Sequence, residues 1–163
     1  MLRHPVAAPC LIPEVVMSRL FECALLFTLL TGGQALAQQS QSFDSYTVHY
    51  NAINTSQLSP QVAQAYGIQR SSSRALLNIT VMLDGQDGLS TAVPAKVEVS
   101  ARNLTGQFRD IAMREISESD DAIYYIGEFR VNNMETYDFN VQVTPQGSPR
   151  PLELKFRQQF YTE

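Results

Sequence analysis

The chain has 163 residues, with 12 lysines and arginines against 16 aspartates and glutamates and a net charge of −4. That balance offers no basic patch to a phosphate backbone, which excludes nucleic acid as an expected partner. The chain has 2 cysteines, Cys10 and Cys23, both near its N-terminus, and no tryptophan.

Residues 1–16 carry Pro5, Pro9 and Pro13, which argue against a helix. They are read as an extension from a start codon called too early, with Met17 the true start. Met17 to Ala37 then reads as a secretory signal: Arg19 in the basic region, an apolar run LFECALLFTLL, and Ala35-Leu36-Ala37 as the small-residue cleavage site. The apolar run is about 11 residues, short of the roughly 20 a spanning helix requires. Cleavage leaves 126 residues (163 less 37) without cysteine, enough for one domain. Disulfides, thiolate catalysis and cysteine-ligated metals are thereby excluded from the expected mature chain.

A polar leader at 38–42, with nothing to bury, precedes a domain at 43–163. Period-two alternation dominates that domain and predicts strands. Phe43 to Ile53 places Tyr46, Val48 and Tyr50 on one face. Ser59-Pro60 then gives an N-cap and a first-turn proline, and Gly67 suits the C′ position. This is the one short helix expected, with Val62 and Tyr66 on a shared face. Leu77, Ile79, Val81 and Leu83 point inward on the next strand, and Val97, Val99 and Ala101 on the one after Pro94. Gln107 to Ile116 is a weaker strand with mixed faces. Ile123, Tyr125, Gly127, Phe129 and Val131 line a strong strand, Tyr137, Phe139, Val141 and Val143 the next, and Leu152 to Phe160 the last. Turns of polar and glycine-rich composition separate them.

The count is about seven strands, with alternating faces that imply antiparallel sheets. The expected fold is an all-β, antiparallel two-sheet sandwich of immunoglobulin-like type with one short helix near the N-terminus. The Cys–Trp–Cys hallmark of immunoglobulin domains is absent. An outer-membrane barrel is disfavoured by the odd strand count and by short turns at both ends.

No spacing points to catalysis. There is no G-x-S-x-G motif, and Ser71 to Ser73 sit in a polar turn. The turns Asp84–Gly88 and Glu118–Asp121 lack the spacing of a calcium loop. His49 points away from Val48 and Tyr50, together with Thr47 and Asn51. A lone histidine is a poor metal site, and Met82, Met113 and Met134 are scattered. Asn54, Asn78 and Asn103 begin glycosylation sequons, which matter only in a eukaryotic secretory pathway. Tyr124 and Tyr161 are placed outside the core, where tyrosines serve binding surfaces. The best-placed binding candidates are therefore His49, Asn51, Asn54 and Tyr124.

Several segments, taken in order, resemble a known family. They are YTVHYNAI at 46–53, LSPQVAQAYGI at 58–68, RALLNITV at 74–81, GQFRDI at 106–111, IYYIGEF at 123–129 and LKFRQQFY at 154–161. Together they resemble a family of small exported proteins of Gram-negative bacteria, catalogued as a domain of unknown function. The resemblance implies a periplasmic β-sandwich whose helix caps an open edge or end and buries Val62 and Tyr66. It implies no activity and transfers no functional residue. The expectation is a non-enzymatic, cofactor-free periplasmic module that binds an envelope protein or component and does not span the membrane after signal cleavage. The alternative is a small-ligand or metal-binding protein that uses the His49 region.

Overall fold

The computed structural model describes residues 39–119 and 122–162. The expected extension at 1–16, the expected signal at 17–37 with both cysteines, and the side chains of the Glu118–Asp121 stretch lie outside the described residues. Among the described residues ten strands and one α-helix follow in order. They are β1 (Gln39–Phe43), β2 (Tyr46–Asn54), α1 (Pro60–Ala65), β3 (Arg74–Asp84), β4 (Ser90–Ala92), β5 (Ala95–Asn103), β6 (Phe108–Ile111), β7 (Arg114–Ser119), β8 (Ala122–Arg130), β9 (Glu135–Pro145) and β10 (Leu152–Phe160). A 3-10 turn, Thr55–Gln57, leads from β2 toward α1.

The strands form two antiparallel sheets. One is six-stranded, ordered β1-β2-β3-β8-β7 with β4 paired to β3, and the other is four-stranded, ordered β10-β9-β5-β6. The all-β two-sheet sandwich expected from alternation is the observed architecture. The strand count among the described residues is ten, not seven, for three local reasons. β1 is a fully polar stretch apart from Phe43, and it pairs along β2 from Gln39–Tyr50 to Phe43–Tyr46. It joins the sheet through its backbone, so no hydrophobic pattern marked it. β4 is only three residues long. The mixed strand at 107–116 is two strands: β6 pairs with β5 in one sheet, and β7 pairs with β8 in the other. The chain crosses between sheets at Ala112-Met113, which resets which residues face in.

The core lies between the sheets. Val48, Leu77, Ile79, Val81, Ile123 and Phe129 meet Val99, Ala101, Tyr137, Phe139, Val141, Leu154 and Phe160, all buried. Leu83, expected inward, is exposed near the end of β3, between Tyr46 of β2 and Thr91 of β4. An aromatic group holds the middle. The Phe139 ring stacks on Phe156 at 4.6 Å, and its edge-to-face neighbours include Phe129 at 5.7 Å. Such contacts add to the burial of area that drives sheet packing.

Gly127 marks the crossing point. A Cβ added there would sit 2.5 Å from Met113 Sδ, 2.6 Å from Ile111 Cγ2 and 3.1 Å from the Ala112 carbonyl oxygen. The chain passes between sheets directly against β8, and only glycine leaves it room. Gly127→Ala is therefore expected to destabilise the fold by about 1–3 kcal/mol, as overpacking does. Chemical denaturation of the two proteins checks it, and an unchanged midpoint would contradict the tight crossing.

Tyr125 ties the sheets together. Its hydroxyl accepts the Ala95 N–H at 2.7 Å and donates to Glu115 Oε2 at 3.0 Å. Burial, aided by the bond to Glu115, pushes this hydroxyl above its ordinary value. Burial also raises Tyr137, beside Glu135. A raised folded-state value means the neutral phenol is the favoured folded form. The contribution is whole below the unfolded value of 10.0 and is lost as pH rises through the higher folded values. Stability is expected to fall above pH 10, and Tyr125→Phe is expected to flatten that alkaline limb. Urea unfolding at stepped alkaline pH gives the slope.

Candidate functional site

Between β2 and β3 the chain leaves the sheet, makes the 3-10 turn and α1, and returns. Ser59 caps α1 by accepting the Val62 N–H at 3.2 Å, Pro60 opens it, and Gly67 closes it at φ +64°. The start and stop signals read from the sequence are all used. The loop is then pinned at its base. The Thr55 hydroxyl, fully buried, accepts the Ser71 N–H at 2.9 Å and donates to the Gln69 carbonyl at 2.9 Å. Arg114 of β7 donates to the Tyr66 carbonyl at 2.5 Å.

So fixed, α1 lies over the outer face of the six-stranded sheet, not at an open edge or end. It packs through Ala63, which joins Ile68, Leu76 and Ile126 in a second small core. Val62 is 41% exposed and Tyr66 half-buried, so the expected burial of that pair does not occur. A six-residue helix turns less than twice, and the small alanine gives the closest approach to the strands.

Helix and sheet do not close completely. A cleft of about 220 Å³ remains, with Leu58, Val62 and Tyr66 on the helix side. Its floor is made by residues that alternation sends outward: Asn51 and Ile53 of β2, Leu76 and Asn78 of β3, Tyr124 and Ile126 of β8, and Ile116 of β7. The register sets them side by side. Asn78 lies opposite Asn51 on one neighbour and Ile126 on the other, and Tyr124 lies opposite Ile116. The walls are mainly apolar. The Oδ1 atom of Asn78 is buried and has no hydrogen-bond partner among the described residues.

The four sequence candidates divide. Asn51 and Tyr124 line the cleft. His49 is on the same face as Asn51, one step along β2, but does not line the cleft; its Nδ1 is buried without a partner among the described residues. Asn54 belongs to the other face and is a correction to the expected surface cluster. It is 7% exposed, and its Nδ2 donates to the Ser72 carbonyl at 2.6 Å and the Tyr161 carbonyl at 2.8 Å. Its parity along β2 matches Val48 and Ala52, so alternation itself pointed inward. Asn103 is likewise structural, donating to Gln107 Oε1 and Glu135 Oε1 and accepting from Thr105 and the Gln107 N–H.

Sequence reasoning missed Asn78, noted only as a sequon. A signal was present: Leu76-Leu77 and Tyr125-Ile126 are apolar on both faces, which marks strands covered on both sides. Among the described residues, no three or more His, Cys, Asp or Glu side chains are grouped to hold a metal, and no helix is long and apolar enough to cross a membrane.

Comparison with known proteins extends these findings. Residues 40–163 match the profile of a family described as a domain of unknown function, DUF4426. A crystal structure of a DUF4426 family protein from Pseudomonas aeruginosa is 33% identical, with a TM-score of 0.64 over 76% of this chain and 94% of that one. FetP of uropathogenic Escherichia coli shares the fold at 9% identity and a TM-score of 0.54, over 77% of this chain and 94% of FetP. A copper-bound variant of FetP is similar at 9% identity, with a TM-score of 0.54 over 76% of this chain and 95% of that one. No curated protein matches the chain. The profile spans residues 40–163 and the Pseudomonas protein shares the fold at 33% identity, so this chain belongs to the DUF4426 family.

Proposed function

We propose that this protein is a non-enzymatic periplasmic module, working without a cofactor, that holds an apolar group of another envelope protein in the cleft beneath α1. The observation that carries this reading is the cleft itself. An outer sheet face is ordinarily wet, yet here a separately pinned helix shelters an apolar hollow on it. At about 220 Å³ the hollow is below the roughly 300–1,000 Å³ of sites that enclose whole drug-sized ligands. It suits a single side chain. The signal-like segment at 17–37 supports export, as does the likeness to FetP, which was expressed in the periplasm.

The test is crosslinking in intact cells, followed by pull-down and mass spectrometry, with Val62→Arg as comparison. Val62 is exposed at the cleft, so the substitution leaves the core untouched while placing a charged chain across the hollow. A partner recovered with the natural protein is expected to be lost, by tenfold or more, with the variant. An identical set of crosslinks from both proteins would overturn the reading.

A second reading has its own observation. The unpartnered His49 Nδ1, together with the copper held by the FetP variant, supports a metal or small-ligand role for the His49 face. A metal titration of the purified protein against His49→Ala separates the two.

A further inference from the structure

We infer that the protein carries a second binding site, for an oxyanion of phosphate type, between Arg74 at the start of β3 and Arg130 at the end of β8. It shares no lining residue with the cleft and does not depend on how the cleft is read. Arg74 and Arg130 are direct partners across the two strands, so both side chains leave the same sheet face. Residues directly opposite have Cβ atoms about 4.5–5.5 Å apart, where like charges repel. Among the described residues one carboxylate answers them: Glu128 Oε2 lies 3.2 Å from Arg74 Nη2. Two positive charges less one negative leave a surplus of one, and no described carboxylate pairs with Arg130. An anion is what the pair lacks.

The two arginines line an open polar hollow of about 220 Å³ with Gln69, Ser71 and Ser73, which return the chain from α1 to β3. Hydrogen bonds to and from the backbone fix its walls. The Val131 N–H donates to the Ser73 carbonyl at 3.1 Å, Arg109 Nη1 to the Arg130 carbonyl at 2.7 Å, and the Ser71 N–H to the Thr55 hydroxyl at 2.9 Å. A site ordered before its ligand arrives binds at lower cost. The Ser71 and Ser73 hydroxyls lie 3.0 Å apart and share one hydrogen, which leaves the other to donate. Arg130 brings a whole guanidinium fork. Fork and hydroxyl together match the three or more acceptor oxygens of a phosphate group, whereas a carboxylate has two. Free phosphate and a phospholipid head group present that same chemistry.

The probe is sodium phosphate, titrated into the purified, isotope-labelled protein and followed by NMR at the Ser73 N–H. Ionic strength is held fixed, because salt screens exposed charges. A saturable shift is expected, with a Kd on the order of a millimolar. Acetate should bind about tenfold more weakly. Arg130 is exposed, so Arg130→Gln should keep the melting temperature while weakening phosphate binding by about tenfold or more. Arg150→Gln makes the same charge change outside the hollow and should leave binding as it was. Glu128→Gln frees Arg74 and should tighten binding severalfold. A shift that does not saturate, or equal losses in the Arg130 and Arg150 variants, would overturn the site. Acetate binding as tightly as phosphate would overturn the phosphate class. Vesicles of phosphatidylglycerol then separate the two sources. Co-sedimentation that Arg130→Gln abolishes would assign the phosphate to a lipid head group; saturable phosphate binding without co-sedimentation would assign it to a small soluble phosphate.

Discussion

Phe139→Ala is expected to lower stability by about 3–5 kcal/mol, the cost of emptying a large aromatic from a packed core. Phe139 is 2% exposed at the centre of β9. It is stacked on Phe156, with ring planes 9° apart, and meets Phe129, Tyr137 and Phe160 from other sides. Those residues come from β8, β9 and β10, so the ring joins the two sheets at their middle. The neighbours are rings on long strands and cannot collapse into the space. A domain of this size has roughly 5–15 kcal/mol in total, and no cysteine lies among the described residues to add a crosslink. The melting temperature should fall by on the order of 15 °C. Phe139→Leu, which keeps much of the volume, should cost less than half as much. If both variants melted within a few degrees of the natural protein, the aromatic group would not be the keystone of the sandwich.

That core was legible in the sequence because alternation is a local signal. Tyr137, Phe139, Val141 and Val143 announce their face without knowledge of any partner strand. What depended on partners was hidden. The 107–116 stretch looked like one poor strand because its residues serve two sheets, with inward parity reset at Ala112-Met113. β1 gave no sign because QSQSF contributes backbone bonds and almost no burial. The helix was placed correctly by Ser59, Pro60 and Gly67, since caps are also local. Its packing face was not, because Ala63 is chosen by Leu76 and Ile126, which reach it only through strand pairing.

The site shows the same division. Asn51 and Tyr124 were reached from parity alone, since each is the outward residue beside an inward one. Asn78 was not, because its neighbours across the sheet, Asn51 and Ile126, are far away in the chain. A polar residue in mid-strand is unremarkable until a helix roofs it over. His49 drew attention as the one histidine beyond the first few residues, yet it falls just outside the cleft. Rarity of a residue type is a weaker guide than the surface it lands on.

Asn54→Asp is expected to cost about 2–5 kcal/mol, far more than a change at a surface site, and to leave the cleft's chemistry intact in the folded molecules. The Asn54 amide donates both its hydrogens to backbone carbonyls, one from Ser72 before β3 and one from Tyr161 after β10. It therefore fastens the base of the helical excursion to the end of the chain. A carboxylate in its place would turn one oxygen toward both carbonyls, leaving both unsatisfied and adding a buried charge. Burial beside two carbonyl oxygens raises the pKa of such a group above its unfolded value. The variant's deficit should accordingly be smallest below about pH 4, where the protonated acid can donate once, and should grow as pH rises through the raised value. Asn54→Ala removes the donors without adding charge, so it should show a smaller loss, about 1–3 kcal/mol, with no such pH dependence. Urea unfolding of the three proteins between acidic and neutral pH distinguishes these outcomes. A pH-independent deficit in Asn54→Asp, or none, would return Asn54 to the surface cluster with His49 and Asn51. The expected pattern instead makes it the clasp that holds the roof of the cleft in position.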